Sequence, residues 1–434
     1  CECPTAGLRL LLLFLRRRFW SLFHHAAQMR VGGTQTLNYL WVHLNIFDKS
    51  MNQKCRLNTR MHFGEPLPVI LRNGMLLEPN DGNGNVELNY GETMVLSCEG
   101  SGTITHPSAT QAQSVASIIC EGGDNFKNDD WLTTPARFTL FKCSYPPNYS
   151  SQRTNRTCFE GNQIIEVGYR IQNQFYPVFE SCFNYGNLNA IYSKYTQKPY
   201  NALYQTKVDR PFFIDDGHYG SVPVNSLFSP KEQRQAIAQL VGNLIDNYFT
   251  GEQHLSRGHL AAKTDFVYAF SERATFHYVN CAPQWTGFNG GNWNTLEVDL
   301  RNHIHVAGYD TIIYTGTYGV TQLLNSRNQR VDLYLYSDVN NNPVIPVPLY
   351  YYKVVYEPRT KRGIAFVGIN NPYYNINEAR ELFFCNDICR NNNFRWLSWH
   401  PDSSSEGYTF CCTVPDFRNT IRHLPDFEVL NILT

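Results

Sequence analysis

The segment from Asn289 to Arg301 reads NGGNWNTLEVDLR, and it begins thirty residues after His259, which ends the tetrapeptide SRGH. Trp293, Glu297 and Arg301 follow Asn289 at successive intervals of four residues. In an α-helix a step of four residues turns a side chain by about 40°, so this spacing predicts one helical face that carries all four. Either segment alone is ordinary, because short motifs recur by chance and a surface helix often carries an ion pair at this spacing. The combination of the two segments is what favours a particular fold.

The composition excludes several classes of protein. The chain has 434 residues, of which 42% are hydrophobic, 14% aromatic and 17% charged, so extensive disorder is not expected. There are 37 basic and 37 acidic residues, and net charge therefore gives no general attraction to nucleic acid. A polyanion would need a local basic patch. No apolar run reaches the length of a membrane-spanning helix, so no stable membrane association is expected.

Cysteine usage favours an oxidising compartment. The chain has 13 cysteines, and acceptor sequons for N-glycosylation occur at Asn148 and Asn155. We therefore expect a secreted, extracellular glycoprotein with disulfide bonds, and the digestive lumen is one place where such a protein could act. A zinc site is the alternative for one group of cysteines, but two adjacent cysteines chelate one metal poorly, so disulfides are favoured for Cys385, Cys389, Cys411 and Cys412. The odd total leaves at least one thiol free or paired between chains.

The chain divides into three predicted regions. Residues 1–60 are an uncertain N-terminal extension or signal region, because the apolar run Leu8 to Leu15 precedes its arginines instead of following them. Residues 61–166 alternate short apolar runs with Asn, Gly and Asp, which is typical of a small β-rich module stapled by cysteines. Residues 167–434 mix strand patterns with a helix that begins after Ser229, an N-cap residue followed by Pro230.

Taken together, SRGH and the segment from Asn289 resemble the DNA/RNA non-specific endonuclease family, which has the ββα-metal fold. That family carries Asp-Arg-Gly-His, then Asn about thirty residues later, and then Trp, Glu and Arg at intervals of four. Asn280 and the dipeptide Pro283-Gln284 also fit the family segment before the helix. The cysteine-rich front, together with residues 210–213 and 276–285, is similar to the arthropod secreted branch, whose members degrade double-stranded RNA and DNA.

The resemblance implies an α+β fold, in which a nuclease domain at 167–434 has a central antiparallel sheet and flanking helices. It also implies a Mg²⁺-dependent endonuclease that cleaves RNA and DNA without sequence preference and leaves 5′-phosphate ends, with Mn²⁺ expected to substitute. The resemblance implies His259 as the general base, Asn289 as the single direct metal ligand and Glu297 as the carboxylate that holds metal-bound water. It also implies Asn280 as a further catalytic amide. The implied phosphate-binding residues are Arg257, Arg301 and, more loosely, Arg210.

The chemistry of these residue types suits that reaction. A histidine with an ordinary pKa near 6.5 can accept a proton at neutral pH. Mg²⁺ prefers oxygen ligands, and a neutral amide leaves its positive charge available to a phosphate. Trp293 is expected in the core. Structural or surface roles are expected for the neighbouring histidines, His254, His277, His303 and His305.

Three positions depart from the family pattern. Ser256 replaces the motif aspartate, Thr264 stands where a small residue is usual, and Cys281 occupies a position that is normally apolar or small. The changes at Ser256 and Thr264 motivate an alternative, a catalytically impaired nucleic-acid-binding protein on the nuclease scaffold. A third hypothesis is a disulfide-rich interaction module in which the front half is the functional part. The sequence leaves open the preference for RNA or DNA and the oligomeric state.

Overall fold

The computed structural model describes residues 54–434, which form one compact unit. The predicted N-terminal extension or signal region lies outside the described residues, apart from residues 54–60. Among residues 54–434 no helix combines the length and the apolar character needed to cross a bilayer.

The front of the chain is built from short antiparallel strands. Six of them form one sheet in the order β3-β2-β5-β7-β8-β9, and the remaining four pair as β1 with β4 and β6 with β10. Alternating apolar residues supply its buried face, as the alternating sequence pattern predicts. The strands are β1 (Cys55–Asn58), β2 (Val69–Arg72), β3 (Met75–Leu76), β4 (Asn85–Leu88), β5 (Thr93–Ser97), β6 (Ile104–Thr105), β7 (Val115–Gly122), β8 (Asn125–Asn128), β9 (Leu132–Arg137) and β10 (Lys142–Cys143).

The rest of the chain is organised by a nine-stranded sheet in the order β11-β12-β13-β14-β17-β22-β23-β24, with β25 parallel to β23. Its other pairings are antiparallel, which confirms the predicted central antiparallel sheet. The strands are β11 (Ser150–Thr157), β12 (Gln163–Ile171), β13 (Gln174–Asn184), β14 (Asn189–Gln197), β15 (Leu255–His259), β16 (Cys281–Trp285), β17 (Thr311–Tyr318), β18 (Gln322–Leu324), β19 (Arg330–Asp332), β20 (Tyr334–Ser337), β21 (Pro343–Pro346), β22 (Tyr350–Glu357), β23 (Arg362–Ile369), β24 (Thr409–Cys412) and β25 (Asn431–Ile432).

Helices flank this sheet. Ser229 caps the helix that the sequence predicts, because its hydroxyl accepts from the backbone N–H of Glu232, and that helix ends at Gly242 (φ 68°). Its apolar pattern continues past the glycine only as separate short turns. The helices are α1 (Val224–Leu227), α2 (Pro230–Val241), α3 (Ile245–Tyr248), α4 (Ala269–Ala274), α5 (Thr286–Phe288), α6 (Asn294–Ala307), α7 (Ile376–Glu381) and α8 (Val414–Thr420).

Both faces of the large sheet are buried at its central strands, such as β22. Tyr351 and Val355 of β22 contribute to the core that includes the front sheet and α6. Tyr352 and Val354, which point to the opposite face, pack in a second core with α7 and α8. The sheet is therefore the middle layer of an α+β structure, as predicted.

Five disulfide bonds cross-link the described part of the chain. The pairs are Cys55–Cys120, Cys98–Cys143, Cys158–Cys182, Cys385–Cys412 and Cys389–Cys411. The last two pairs use all four cysteines of the zinc alternative, so disulfides account for that group. Among residues 54–434 the free cysteine is Cys281, which is buried.

The front sheet packs closely on the rest of the chain. The ring of Phe63 lies 5.0 Å from that of Tyr268, and Arg273 pairs with Glu65 at 2.8 Å. The predicted boundary between residues 166 and 167 falls inside β12, which pairs with β13 along its length. Separate roles for residues 61–166 and 167–434 remain a prediction.

Candidate active site

Two antiparallel strands, β15 and β16, carry the first half of the site. Their register places His259 opposite Cys281 and Ser256 opposite Gln284. Gly258 lies between them at a point of close approach, since a Cβ there would come within 2.3 Å of the Gln284 side-chain oxygen. The glycine of SRGH is thus required by packing, and it lets the strand run against its neighbour while His259 faces the cavity.

The second half of the site lies on the chain that follows β16. The predicted regular helix from Asn289 to Arg301 is wrong in its first part, because residues 289–293 form a π-helical turn that is kinked at Gly291 (φ −95°, ψ −119°). The cause is packing against the loop 400–407. A Cβ on Gly291 would lie 2.7 Å from the Cα of Glu406. The side-chain amide of Asn292 donates to the carbonyl oxygens of His400 and Gly407 at 2.8 and 2.6 Å.

Regular α-helical geometry begins only at Asn294 and ends at Gly308, which adopts the left-handed conformation expected of a stop signal. Trp293 is 1% exposed and packs edge-on against Phe288 and Tyr351, which confirms its expected core position.

A cavity of about 460 Å³ opens between these two halves. It brings together four of the predicted site residues, His259, Asn289, Arg257 and Arg210, although they come from three separate segments. Glu297, Arg301 and Asn280 do not line it. The lining residues are Arg210, Pro211, Phe212, Phe213, Asn225, Ser256, Arg257, His259, Phe276 and Asn289.

The imidazole of His259 is held by aromatic rings. Its ring centroid lies 5.0 Å from that of Phe213 and 4.9 Å from that of Phe276. Its Nε2 is shielded from solvent and has no hydrogen-bond partner among the described residues. Burial, together with the positive charges of Arg210 and Lys263, lowers the pKa of His259 to about 3. The ring is therefore neutral at physiological pH, which is the form that a general base requires.

Asn289 is oriented by the strand below it. Its side-chain nitrogen donates to the hydroxyl oxygen of Ser256 at 3.0 Å, and that hydroxyl donates to the carbonyl oxygen of Gln284 at 2.8 Å. Because the amide nitrogen is used in this way, the amide oxygen remains without a hydrogen bond to residues 54–434. It is a neutral oxygen donor beside the cavity, which is the kind of ligand that a hard divalent cation takes.

The two arginines at the cavity supply positive charge. Arg257 is fixed by hydrogen bonds from its guanidinium to the Tyr278 hydroxyl at 2.9 Å and to the Asn225 side-chain oxygen at 3.1 Å. The guanidinium of Arg210 lies over the ring of Phe276 at 5.4 Å, and Arg210 is exposed. Within residues 54–434 neither arginine has a carboxylate partner, so both charges are available to an anion.

Arg301 and Glu297 lie elsewhere, in a buried charged cluster. Arg301 is 4% exposed and donates to Asp265 at 2.8 Å. Lys353, which is fully buried, lies 3.9 Å from the same carboxylate and donates to the Thr315 hydroxyl at 2.7 Å. Burial raises the pKa of Glu297 to about 7, while the nearby Lys353 opposes this shift. The predicted phosphate contact of Arg301 thus competes with an ion pair that is already made.

The side chain of Asn280 forms hydrogen bonds with the backbone near His259. Its side-chain oxygen accepts from the Ser193 hydroxyl and the Ala261 N–H, both at 2.8 Å. Its side-chain nitrogen donates to the carbonyl oxygens of Ala261 and Thr275, both at 2.9 Å. The residue is fully buried with both polar atoms satisfied, so its side chain fixes the chain just after His259, and a direct catalytic role for Asn280 stays a prediction.

Cys281 and three of the neighbouring histidines make structural contacts and do not line the cavity. Burial raises the pKa of the Cys281 thiol to about 12, so it is an unreactive core residue. His277 is fully buried and caps a short turn by accepting from the Val279 N–H. His303 stacks on Trp396 at 4.3 Å, and His305 bonds the carbonyl oxygen of Pro199 at 2.8 Å.

Sequence reasoning missed the residues that hold the site residues in place. Phe213 and Phe276 enclose His259, Tyr278 and Asn225 orient Arg257, and Asp265 pairs with Arg301. Residues 210–213 stood out only as a similarity to secreted relatives. No local signal distinguishes the partners from ordinary core and loop residues, because each acts through a contact with a distant segment.

Comparisons with known proteins show which family this chain matches. The model of the DNA/RNA non-specific endonuclease family matches residues 160–417. A salivary endonuclease of Lutzomyia longipalpis is 28% identical over 366 residues, which are 82% of this chain and 80% of the relative. Salivary protein Tsal2A of Glossina morsitans morsitans is 26% identical over 392 residues, 85% of this chain and 92% of the relative. A salivary endonuclease of Culex quinquefasciatus is 24% identical over 286 residues, 63% of this chain and 69% of the relative.

These relatives are arthropod proteins, as the resemblance implied, and the matched range contains every residue that lines the cavity. Because the family match covers more than half of its length, this chain belongs to the DNA/RNA non-specific endonuclease family and is a phosphodiester hydrolase.

Proposed function

We propose that this enzyme is a Mg²⁺-dependent endonuclease of RNA, including double-stranded RNA, and of DNA, and that Mn²⁺ substitutes for Mg²⁺. The single observation that carries the proposal is that a neutral imidazole, an amide oxygen and two guanidinium groups meet around one cavity, the amide oxygen without a hydrogen bond and the guanidinium groups without a carboxylate partner among residues 54–434: His259, Asn289, Arg257 and Arg210. The proposed substrate is a polyanion, which this local charge attracts although the whole chain is neutral.

The residues at the cavity fit a divalent cation. The amide oxygen of Asn289 would be the one direct protein ligand, because its nitrogen is already bound to Ser256. Mg²⁺ keeps most of its waters and often takes few protein ligands. When bound, it would supply Lewis-acid charge for the phosphate oxygens. The role that the resemblance implies for Glu297, to hold the water around the cation, is kept as part of the proposal, although Glu297 does not line the cavity and burial raises its pKa.

His259 would act as the general base. Its neutral ring takes a proton from a water molecule, and the resulting hydroxide attacks phosphorus. The bond between phosphorus and the 3′ oxygen breaks, and water returns a proton to that oxygen. The products are a 5′-phosphate and a 3′-hydroxyl. Phe213 and Phe276 hold the ring in place, so little reorganisation is needed during the reaction.

Arg257 and Arg210 would bind the phosphate. Phosphate contacts carry no base information, so the same residues account for cleavage without sequence preference. Arg257 is already oriented by Tyr278 and Asn225, and this cuts the entropic cost of binding. Binding through these cations should weaken as salt rises.

Secretion into an extracellular fluid is the proposed location. The five disulfides among residues 54–434 favour an oxidising compartment, and the printed names of the relatives describe salivary proteins. Both predicted glycan acceptors are exposed, with Asn155 on the edge strand β11. These features support a secreted glycoprotein.

Digestion of plasmid DNA and double-stranded RNA tests the proposal. The wild-type protein should cleave both with Mg²⁺ and neither with excess chelator, and product ends should be labelled by ligases that require a 5′-phosphate. Asn289→Ala should abolish cleavage, while Asn294→Ala, an exposed asparagine at the start of α6, should not. Tight nucleic-acid binding by the wild type without any cleavage would instead support the impaired-scaffold alternative.

A further inference from the structure

We propose that Phe212 is a stacking platform for one nucleobase of the substrate, next to the phosphate that is cleaved. This inference rests on the proposed function and deepens it, because it adds a contact to a base where the proposed site contacts only phosphate. It also predicts that the enzyme favours substrates in which that base is free to leave its neighbours.

Phe212 is a candidate binding residue because it is both exposed and part of the cavity wall. The side chain is 91% exposed, which is costly for an aromatic ring of this size. Isolated exposed apolar residues are normal, so exposure alone would carry nothing. Phe212, however, lines the cavity that also holds His259 and Asn289. A ring at that rim is within reach of a polymer bound in the cavity.

The backbone that carries Phe212 is held in place. The hydroxyl of Tyr149 donates to the carbonyl oxygen of Phe212 at 3.2 Å and to that of Phe276 at 2.9 Å. Two residues later, the N–H of Ile214 donates to the Phe276 carbonyl at 3.1 Å, and the Tyr278 N–H donates to the Ile214 carbonyl at 2.9 Å. A ring on a fixed backbone loses little entropy when it stacks, which is what a binding platform requires.

The ring of the next residue, Phe213, packs against other rings of the protein, whereas the ring of Phe212 does not. Phe213 is turned into the molecule, where its ring packs at 5.2 Å from Phe276 and 5.4 Å from Tyr278. The two neighbours therefore have different environments, since the ring of Phe213 is packed and that of Phe212 is exposed. Among residues 54–434 Phe212 has no aromatic partner, so packing of its ring does not stabilise the fold.

The surrounding charge identifies the ligand as a nucleobase attached to a phosphate. Arg210, two residues before Phe212, is exposed and has no carboxylate partner among residues 54–434, and Arg257 lies on the same cavity. Cations beside an outward aromatic ring match a nucleotide, which presents an anion and a π face. Every base has such a face, so this contact is compatible with cleavage without sequence preference.

The test measures binding to a short single-stranded DNA and to the same strand with an abasic spacer beside the central phosphate, both in chelator so that cleavage is absent. Phe212→Ala should weaken binding of the intact strand by about 5-fold to 100-fold, the range of one lost base stack. It should leave binding of the abasic strand unchanged. Phe212→Trp should bind both strands like the wild type, and the exposed Val339→Ala is the matched control.

Equal losses on both strands, or no loss on either, would overturn the proposal, as would a Trp variant that binds like the Ala variant. Because the ring is exposed, Phe212→Ala should keep the wild-type melting temperature. The measurement is independent of hydrolysis, so a wild type that binds but never cleaves would refute the proposed function and still decide the role of Phe212.

Discussion

The side-chain nitrogen of Asn289 donates a hydrogen bond to the hydroxyl oxygen of Ser256, 3.0 Å away, across the gap between the π-helical turn and β15. Ser256 stands where the family pattern has an aspartate. Serine still provides the acceptor that orients the amide, and its own proton goes to the carbonyl oxygen of Gln284. The departure that motivated an inactive alternative therefore still leaves the Asn289 amide with a partner that orients it.

Removal of this acceptor should weaken metal binding. In Ser256→Ala the amide can rotate, so we expect about 10-fold to 100-fold weaker divalent-ion affinity, the usual cost of losing a group that orients a ligand. Mn²⁺ titration calorimetry measures the affinity directly, and activity at limiting Mg²⁺ should fall in parallel. Ser256→Asp, which restores an acceptor, should recover both.

The exposed Ser114, which makes no side-chain hydrogen bond within residues 54–434, gives the control variant Ser114→Ala. Unchanged Mn²⁺ affinity in Ser256→Ala would show that Ser256 does not orient a ligand.

Replacement of the proposed base should stop hydrolysis without unfolding the chain. His259→Ala and His259→Gln should lower kcat by about 100-fold to 10,000-fold, the range for loss of a general base. Binding of a short oligonucleotide should persist because Arg257 and Arg210 remain. Steady-state kinetics with Mg²⁺ measure kcat, and circular dichroism checks the fold.

His254, a half-buried histidine near His259 in sequence that does not line the cavity, provides the comparison His254→Ala. Wild-type kcat in His259→Ala would remove this residue from the mechanism.

Replacement of Arg301 should lower the free energy of unfolding more than it affects catalysis. Arg301→Ala leaves the buried Asp265 without its closest cation, and breaking such a pair costs about 3–5 kcal/mol. Urea unfolding should show a loss of that size. The double variant Arg301→Met, Asp265→Asn should recover part of it, because the orphaned charge is gone.

An Arg301→Ala enzyme with wild-type unfolding free energy but a raised KM would contradict this expectation. It would favour the phosphate contact that the family resemblance implies.

The protein should lose stability on mild acidification through His218. Its ring bonds the Ser151 hydroxyl at 2.8 Å and the Tyr185 hydroxyl at 2.6 Å, and burial lowers its pKa from 6.5 to about 4. Between those values the unfolded chain binds the proton more tightly, so the stabilising contribution is complete above pH 6.5 and declines as pH falls to 4. The loss is on the order of 2 kcal/mol.

Urea unfolding at pH 7.5 and pH 4.5 measures the effect. His218→Gln should flatten the pH dependence by about the same 2 kcal/mol. An equally steep dependence in His218→Gln would place the acid sensitivity on other groups.

Much of this protein could be predicted from short-range signals. Ser229 caps its helix and Gly308 ends another because caps depend on adjacent residues alone. His259, Asn289 and Arg257 could be proposed as site residues because the two segments resemble the family pattern and keep its separation, and all three line one cavity. Disulfide use followed from the abundance of cysteine, although the pairing did not.

The tertiary structure alone decided which of the motif residues meet. Arg301 shares the helical spacing of Asn289, yet it pairs with Asp265, which no local pattern connects to it. The helix is interrupted at Gly291 because the loop at Glu406 packs against it, more than a hundred residues away in the chain. Local sequence specifies caps, alternation and residue chemistry, whereas contacts between distant segments depend on how the whole core packs. Which residues come together in the site therefore depends on that packing.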